Sequence, residues 1–123
     1  MPKYSLIIPA YNESSYLPRL LDTVDDARAC YRGGRGEIEV IVADNNSRDD
    51  TAKIARDRGC IVTHIAKRCI AAVRNGGAGI AEGAVLCFVD ADMRIHPQTF
   101  NAIERCIEGG NVVAGASWGM PRS

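Results

Sequence analysis

Five short, β-branched-rich runs recur along this chain with a helical pattern between each and the next, and that alternation leaves few folds open. The runs are "YSLIIP" (Tyr4–Pro9), "IEVIVAD" (Ile38–Asp44), "CIVTHI" (Cys60–Ile65), "AVLCFVD" (Ala84–Asp90) and "NVVAGAS" (Asn111–Ser117). Each is bounded by Gly, Pro, Asn or Asp and reads as a strand. Ile38–Asp44 and Ala84–Asp90 are nearly unbroken apolar runs, as expected of central strands covered on both faces. Between them, Leu17, Leu20, Leu21, Val24 and Tyr31 fall at helical spacing, which predicts an amphipathic helix from about residue 15 to about residue 31, with Ser14 or Ser15 as N-cap. Further helices are expected over Asp49–Arg58, closed by Gly59, and over Ile70–Glu82, closed by Gly83. A fourth runs over Pro97–Glu108, with Phe100, Ile103 and Ile107 on one face and Gly109 after it. The order implies an α/β fold, a doubly wound and mostly parallel sheet with helices on both faces and right-handed crossovers. At 123 residues the chain makes one domain, 1–123, with a real core.

Fifteen Lys and Arg balance fifteen Asp and Glu, so no overall field draws nucleic acid, and an anionic ligand must be held locally. The five cysteines are odd in number, scattered, and nowhere in a C-x-x-C pair, which argues against a disulfide framework or a zinc site and fits a reducing cytosol. Residues 1–25 lack a signal-peptide pattern, and no apolar run approaches the roughly 18 residues of a membrane span. The expected location is the cytoplasm, with peripheral attachment at the cytoplasmic face of a membrane left open.

In doubly wound sheets ligands bind beyond the carboxyl ends of the strands, near the point where strand order reverses. Three polar clusters fall at such ends: "PAYNE" (Pro9–Glu13), "DNNSRDDT" (Asp44–Thr51) and "DAD" (Asp90–Asp92). Two carboxylates one residue apart suit a hard divalent cation that carries substrate phosphates. The plainer reading is a turn, since Asp side chains bond nearby backbone. In "AAVRNGGAGIAEG", Gly76, Gly77 and Gly79 each cost roughly 1 kcal/mol against alanine in a helix interior, so either close packing on the sheet or function must offset them. "GGAG" is neither a P-loop nor G-x-G-x-x-G. Arg74 beside Asn75, together with Lys67 and Arg68, puts cationic groups ahead of "DAD", where a metal-held pyrophosphate needs charge partners. "HP" at His96 reads as a turn and cap rather than a metal ligand, His64 inside a strand reads as structural, and Glu104 and Glu108 read as a charged, solvated helix face.

"SLIIPAYNE", "EVIVADNNSRDDT", "AAVRNGGAGIAEG" and "FVDAD", in this order and approximate spacing, resemble the nucleotide-sugar-binding half of family 2 glycosyltransferases, which have the GT-A fold. The resemblance runs from Ser5 to about Gly119. It implies a glycosyltransferase that moves a sugar from a UDP- or GDP-sugar to an acceptor the sequence does not identify. By position, Pro9, Ala10, Tyr11 and Glu13 would line the nucleotide pocket and Asp44 and Asn45 would meet the base, while Arg74, read above from its charge, would join the donor site. The "DAD" segment, Asp90, Ala91 and Asp92, would complete the donor site, with Asp90 on the ribose or base and Asp92, helped by Asp90, on Mg²⁺ or Mn²⁺. The sequence departs from the family at "DNNS", where many members have two acids in succession, so Asn45 keeps an acceptor and loses a charge. Inverting members take their catalytic base from a later, acceptor-binding region, so no base is expected in this chain, which the resemblance implies is cut short before that region. The apolar edge around Val112, Val113 and Trp118 is then expected to self-associate into homo-oligomers. The rivals are a donor-binding fragment or nucleotide-binding module without transfer, and a nucleotidyltransferase. The last would need a glycine-rich basic loop after the first strand, and "PAYNESS" has no Gly, Lys or Arg.

Overall fold

The computed structural model of the chain describes residues 2–67, 69–108 and 119–120. Along the chain run β1 (Tyr4–Ala10), α1 (Leu17–Cys30), β2 (Ile38–Asp44), α2 (Thr51–Asp57), β3 (Ile61–His64), α3 (Ile70–Ile80), β4 (Val85–Phe88), β5 (Arg94–Ile95), α4 (Thr99–Glu108) and β6 (Gly119–Met120). Strands β1 to β4 form a parallel sheet in the order β3-β2-β1-β4. The two-residue strands β5 and β6 make a separate antiparallel pair, Arg94 opposite Met120 and Ile95 opposite Gly119. The strand expected over Asn111–Ser117, and the self-association expected of Val112, Val113 and Trp118, lie outside the described residues.

Period-two alternation sorts β1 and β2 onto two faces. Tyr4, Leu6, Ile8 and Ala10 join Ile38, Val40 and Val42 in one core with Leu17, Leu20, Leu21 and Val24 of α1, Ala55 of α2, and Phe100 and Ile103 of α4. The opposite face, with Ile7 and Ala43, receives α3. A Cβ added at Gly77 would stand 2.5 Å from Cγ2 of Ile7, and one at Gly76 would collide with Cδ1 of Ile65, so these two glycines let the helix lie close on the sheet. Gly79 faces open space. Strand β1 is buried throughout its length. Strand β4 is not: Leu86 is 43% exposed, and β4 stands at the edge of the sheet among the described residues. The unbroken apolar run at 84–90 therefore does not have the sandwiched position that β2 has.

The helix ends also differ from expectation. Neither Ser14 nor Ser15 caps α1; the amides of Tyr16 and Leu17 both donate to the Glu13 carbonyl, and no side chain caps the helix. Glu104 is not on a solvated face. It is half-buried and accepts hydrogen bonds from Lys3 Nζ at 2.7 Å and Tyr31 Oη at 2.5 Å, with Tyr4 Oη at 3.4 Å. The lysine bond, then the tyrosine bond, hold its carboxyl below the usual range. Next to it, the buried Asn101 accepts from the Arg32 amide and donates to the Cys30 carbonyl. Polar groups thus fasten α4 to the start of β1 and the end of α1.

Candidate functional site

Strand order reverses at β1: the chain moves outward through β2 and β3, then α3 carries it back to β4 on the other side of β1. The carboxyl ends of β1, β2 and β4 accordingly lie side by side at the edge where such sheets bind ligands. All three polar clusters named from the sequence stand at those ends.

The loops after β1 and β2 are built as one unit. Asn12 and Asn46 both adopt left-handed backbone, φ 50° and 55°, a conformation Asn tolerates better than most residues. Asn12 Oδ1 accepts from the Arg48 amide at 2.7 Å, and the Asn12 amide donates to Ser47 Oγ at 2.9 Å. The Glu13 amide donates to Thr51 Oγ1 at 2.9 Å and the Ser14 amide to Asp49 Oδ2 at 3.1 Å. Desolvation works to raise the Asp49 carboxyl, but the bonds from Thr51 and Ser14 prevail and hold it down at about 2. At the root of the loops the Asn45 amide donates to the Ala10 carbonyl at 2.8 Å.

Above this base lies a pocket of about 250 Å³ lined by Pro9, Ala10, Tyr11, Glu13, Asn45, Cys69 and Val73. Five of the seven are residues the sequence singled out. Cys69 and Val73 are not; they arrive because α3 begins over the ends of β1 and β2, and only a fixed helix-on-sheet placement would have shown it. A second recess of about 220 Å³, lined by Tyr11, Asn46, Arg48 and Ala66, shares Tyr11 with the first.

Asp44 closes β2 and is buried, its side chain 3% exposed. Its Oδ2 lies 3.3 Å from His64 Nδ1, and its Oδ1 has no hydrogen-bond partner among the described residues. His64 Nε2 is 2.8 Å from Arg56 Nη2. A guanidinium only donates, so Nε2 accepts and the imidazole proton sits on Nδ1, facing Asp44. Asn45, 8% exposed, donates from Nδ2 to the carbonyls of Ile65 at 2.7 Å and Lys67 at 3.0 Å.

On the β4 side, Arg74 Nη2 is 3.9 Å from Asp90 Oδ1, and its guanidinium lies 5.8 Å from the centre of the Phe88 ring. Both ion-pair partners are about half exposed, 48% and 60%, so as a brace the pair is weak and as ligand groups both are accessible. Ala91 is buried in the core between Asp90 and Asp92, and the Met93 amide donates to the Asp90 carbonyl at 3.0 Å, which turns the chain. Asp90 and Asp92 supply hard oxygen donors; no cluster of three or more His, Cys, Asp or Glu able to hold a metal exists among the described residues. Two carboxylates are a donor set that would suit a hard divalent ion such as Mg²⁺ or Mn²⁺ beside phosphates. Arg68 lies outside the described residues. His96 forms the expected turn: its Nδ1 accepts from the Gln98 amide and its carbonyl from the Thr99 amide, each at 3.0 Å. No helix among the described residues is long and apolar enough to cross a membrane.

Comparison with known proteins gives the following. The family model "Glycosyl transferase family 2" matches residues 5–119. Glycosyltransferase AglE of Haloferax volcanii is 32% identical over 118 residues, spanning 91% of this chain and 38% of that protein. Among solved structures, S. aureus TarS 1–349 in complex with UDP superposes with a TM-score of 0.74 at 29% identity, covering 87% of this chain and 32% of that one. The mannosyltransferase PcManGT from Pyrobaculum calidifontis, in complex with GDP-Man and Mn²⁺, gives 0.71 at 25% identity, covering 85% and 32%. The chain thus spans about a third of the length of the relatives it matches.

Proposed function

The chain belongs to glycosyltransferase family 2, and from that membership we propose that this site binds a nucleoside-diphosphate sugar with Mg²⁺ or Mn²⁺ and serves transfer of that sugar to an acceptor. The observation that carries the reading is the placement of one pocket, lined by Pro9, Ala10, Tyr11, Glu13 and Asn45, at the strand-order reversal, with α3 joining it to the β4 end through the approach of Arg74 to Asp90. TarS with UDP and PcManGT with GDP-Man and Mn²⁺ support a uridine or guanosine donor and a divalent ion.

In this reading Pro9, Ala10, Tyr11, Glu13 and Asn45 hold the nucleoside, and the 40% exposed Tyr11 ring offers a flat face to it. Asp44, buried at the carboxyl end of β2 with its Oδ1 unpartnered among the described residues, meets the base beside Asn45. Departure of the diphosphate from the sugar leaves new negative charge on the leaving oxygen. Arg74, lying over Phe88, presents N–H donors to a phosphate there. Asp90 and Asp92 would hold the divalent ion, which supplies charge stabilisation to the leaving group without a proton transfer.

Thermal unfolding of the chain with UDP, GDP or their sugars, with and without Mn²⁺, tests this. A ligand at a hundred times its Kd adds about 2.7 kcal/mol, a rise on the order of 10 °C for a domain of this size. The expected result is a rise with UDP or GDP that needs Mn²⁺ and is largely cancelled by EDTA. No rise with any of them overturns the donor reading, and equal rises with and without Mn²⁺ overturn its metal part.

A further inference from the structure

Asn45 stands where many members of the family carry a second acid, and its side chain does something an acid cannot. Among the described residues its side chain meets two backbone carbonyls, Ile65 at 2.7 Å and Lys67 at 3.0 Å, which only the NH₂ group can face; both amide hydrogens are thereby used, and the O/N assignment follows from the partners. The segment they hold leads into α3, whose first turns bring Cys69 and Val73 to the pocket wall. The same strand end is tied at two more points, since the Ile65 amide donates to the Asp44 carbonyl and the Asn45 amide to the Ala10 carbonyl.

We infer that Asn45 is a positioning residue for the donor pocket: its amide clamps residues 65–67 against the end of β2 and so sets how closely the start of α3 approaches Pro9 and Ala10. The clamp predicts the opposite of what the family pattern alone predicts for Asn45→Asp. A carboxylate keeps the acceptor but turns oxygen toward two carbonyl oxygens, which repels the segment it should hold. Restoring the family's acid here should therefore weaken the pocket.

The binding arm of the test rests on the proposed donor function, and the second arm does not. Binding of UDP and of GDP, each with Mn²⁺, is measured by calorimetry for the unaltered chain, Asn45→Asp and Asn45→Ala, alongside hydrogen exchange of the Ile65 and Cys69 amides. We expect nucleotide binding by Asn45→Asp at pH 8 to be weaker by about tenfold, the loss of roughly one net hydrogen bond plus repulsion, with faster exchange at Ile65. At low pH the carboxyl introduced by Asn45→Asp is protonated and regains one donor, so this variant should recover relative to Asn45→Ala, a pH signature that mere loss of packing does not give. Asp44, His64, Glu13, Lys67 and Cys69 surround the position and are common to all variants, so they cancel in that ratio. If the unaltered chain binds neither nucleotide, the donor reading fails and exchange alone decides the clamp. Tighter binding by Asn45→Asp, or unchanged exchange at Ile65 in both variants, overturns the inference. Should Asn45→Asp not fold, Asn45→Ala carries both readouts: equal affinity and equal exchange would sink it.

Discussion

Asp90 and Asp92 are one residue apart, yet the fold gives them different surroundings. Asp90 is 60% exposed beside Arg74, while Asp92 is partly buried beyond the buried Ala91. Asp92→Asn keeps the size and removes the charge that a hard cation requires, so it should abolish most of the Mn²⁺-dependent part of nucleotide binding. Because the turn is held by the Asp90 carbonyl and by Ala91 in the core, denaturant unfolding should show a variant that still folds. Unfolding by this substitution would return "DAD" to a structural role. At this scale the sequence shows residue types and misses partners. The polar residues at the strand ends were visible because strand ends are where Asp and Asn collect. That His64 stands beside Asp44, its register neighbour in the parallel β2–β3 pair, needs the pairing of residues 20 apart, and that Asn45 spends its amide on residues 65–67 needs the same.

Helices and strands were legible to within about two residues at most ends, because periodicity fixes the body of an element while its ends depend on competing bonds. Residues 14–16 illustrate this: Asp49 from the next loop takes the Ser14 amide, and the helix starts only at Leu17. Glu104 shows where periodicity misleads. Four residues from Glu108 it reads as one half of a solvated stripe, but the opening of β1 brings Lys3 and Tyr4 under it and Tyr31 beside it. Its bonds give a pH test. A carboxyl whose pKa is lower folded than unfolded stabilises fully above the unfolded value and loses that contribution as pH falls through the folded one. Glu104→Gln should cost about 1 kcal/mol at pH 7, and the gap to the unaltered chain should close below about pH 4, as followed by urea unfolding across pH. A gap that persists in acid would assign the cost to packing rather than to the charge.

Across the whole molecule, the alternation of strand and helix implies a parallel sheet of α/β type, whereas the order β3-β2-β1-β4 is one of several it allows. What that alternation does not carry is which apolar run becomes central. Ile38–Asp44 and Ala84–Asp90 look alike, but β1, which looked ordinary, is the strand buried from end to end. Stability should be graded accordingly. Amides of Leu6, Ile7 and Ile8 should exchange only through global unfolding, while those of β3, whose Ile61 and His64 are exposed, should exchange faster through local opening. Equal protection in the two strands, measured by NMR, would contradict this gradient.

The lacing of the two loops has a consequence for redesign. Asn12, Glu13 and Ser14 find their partners in Ser47, Arg48, Asp49 and Thr51, so neither loop holds its shape on its own. A chimera that imports the loop after β2 from a relative, in order to change which donor is accepted, would put at risk the three of these four bonds whose acceptors are the side chains of Ser47, Asp49 and Thr51. The unit that can be transplanted is the pair, residues 11–16 together with 46–51, and a library that varies the two in concert will retain more folded members than one that varies either alone.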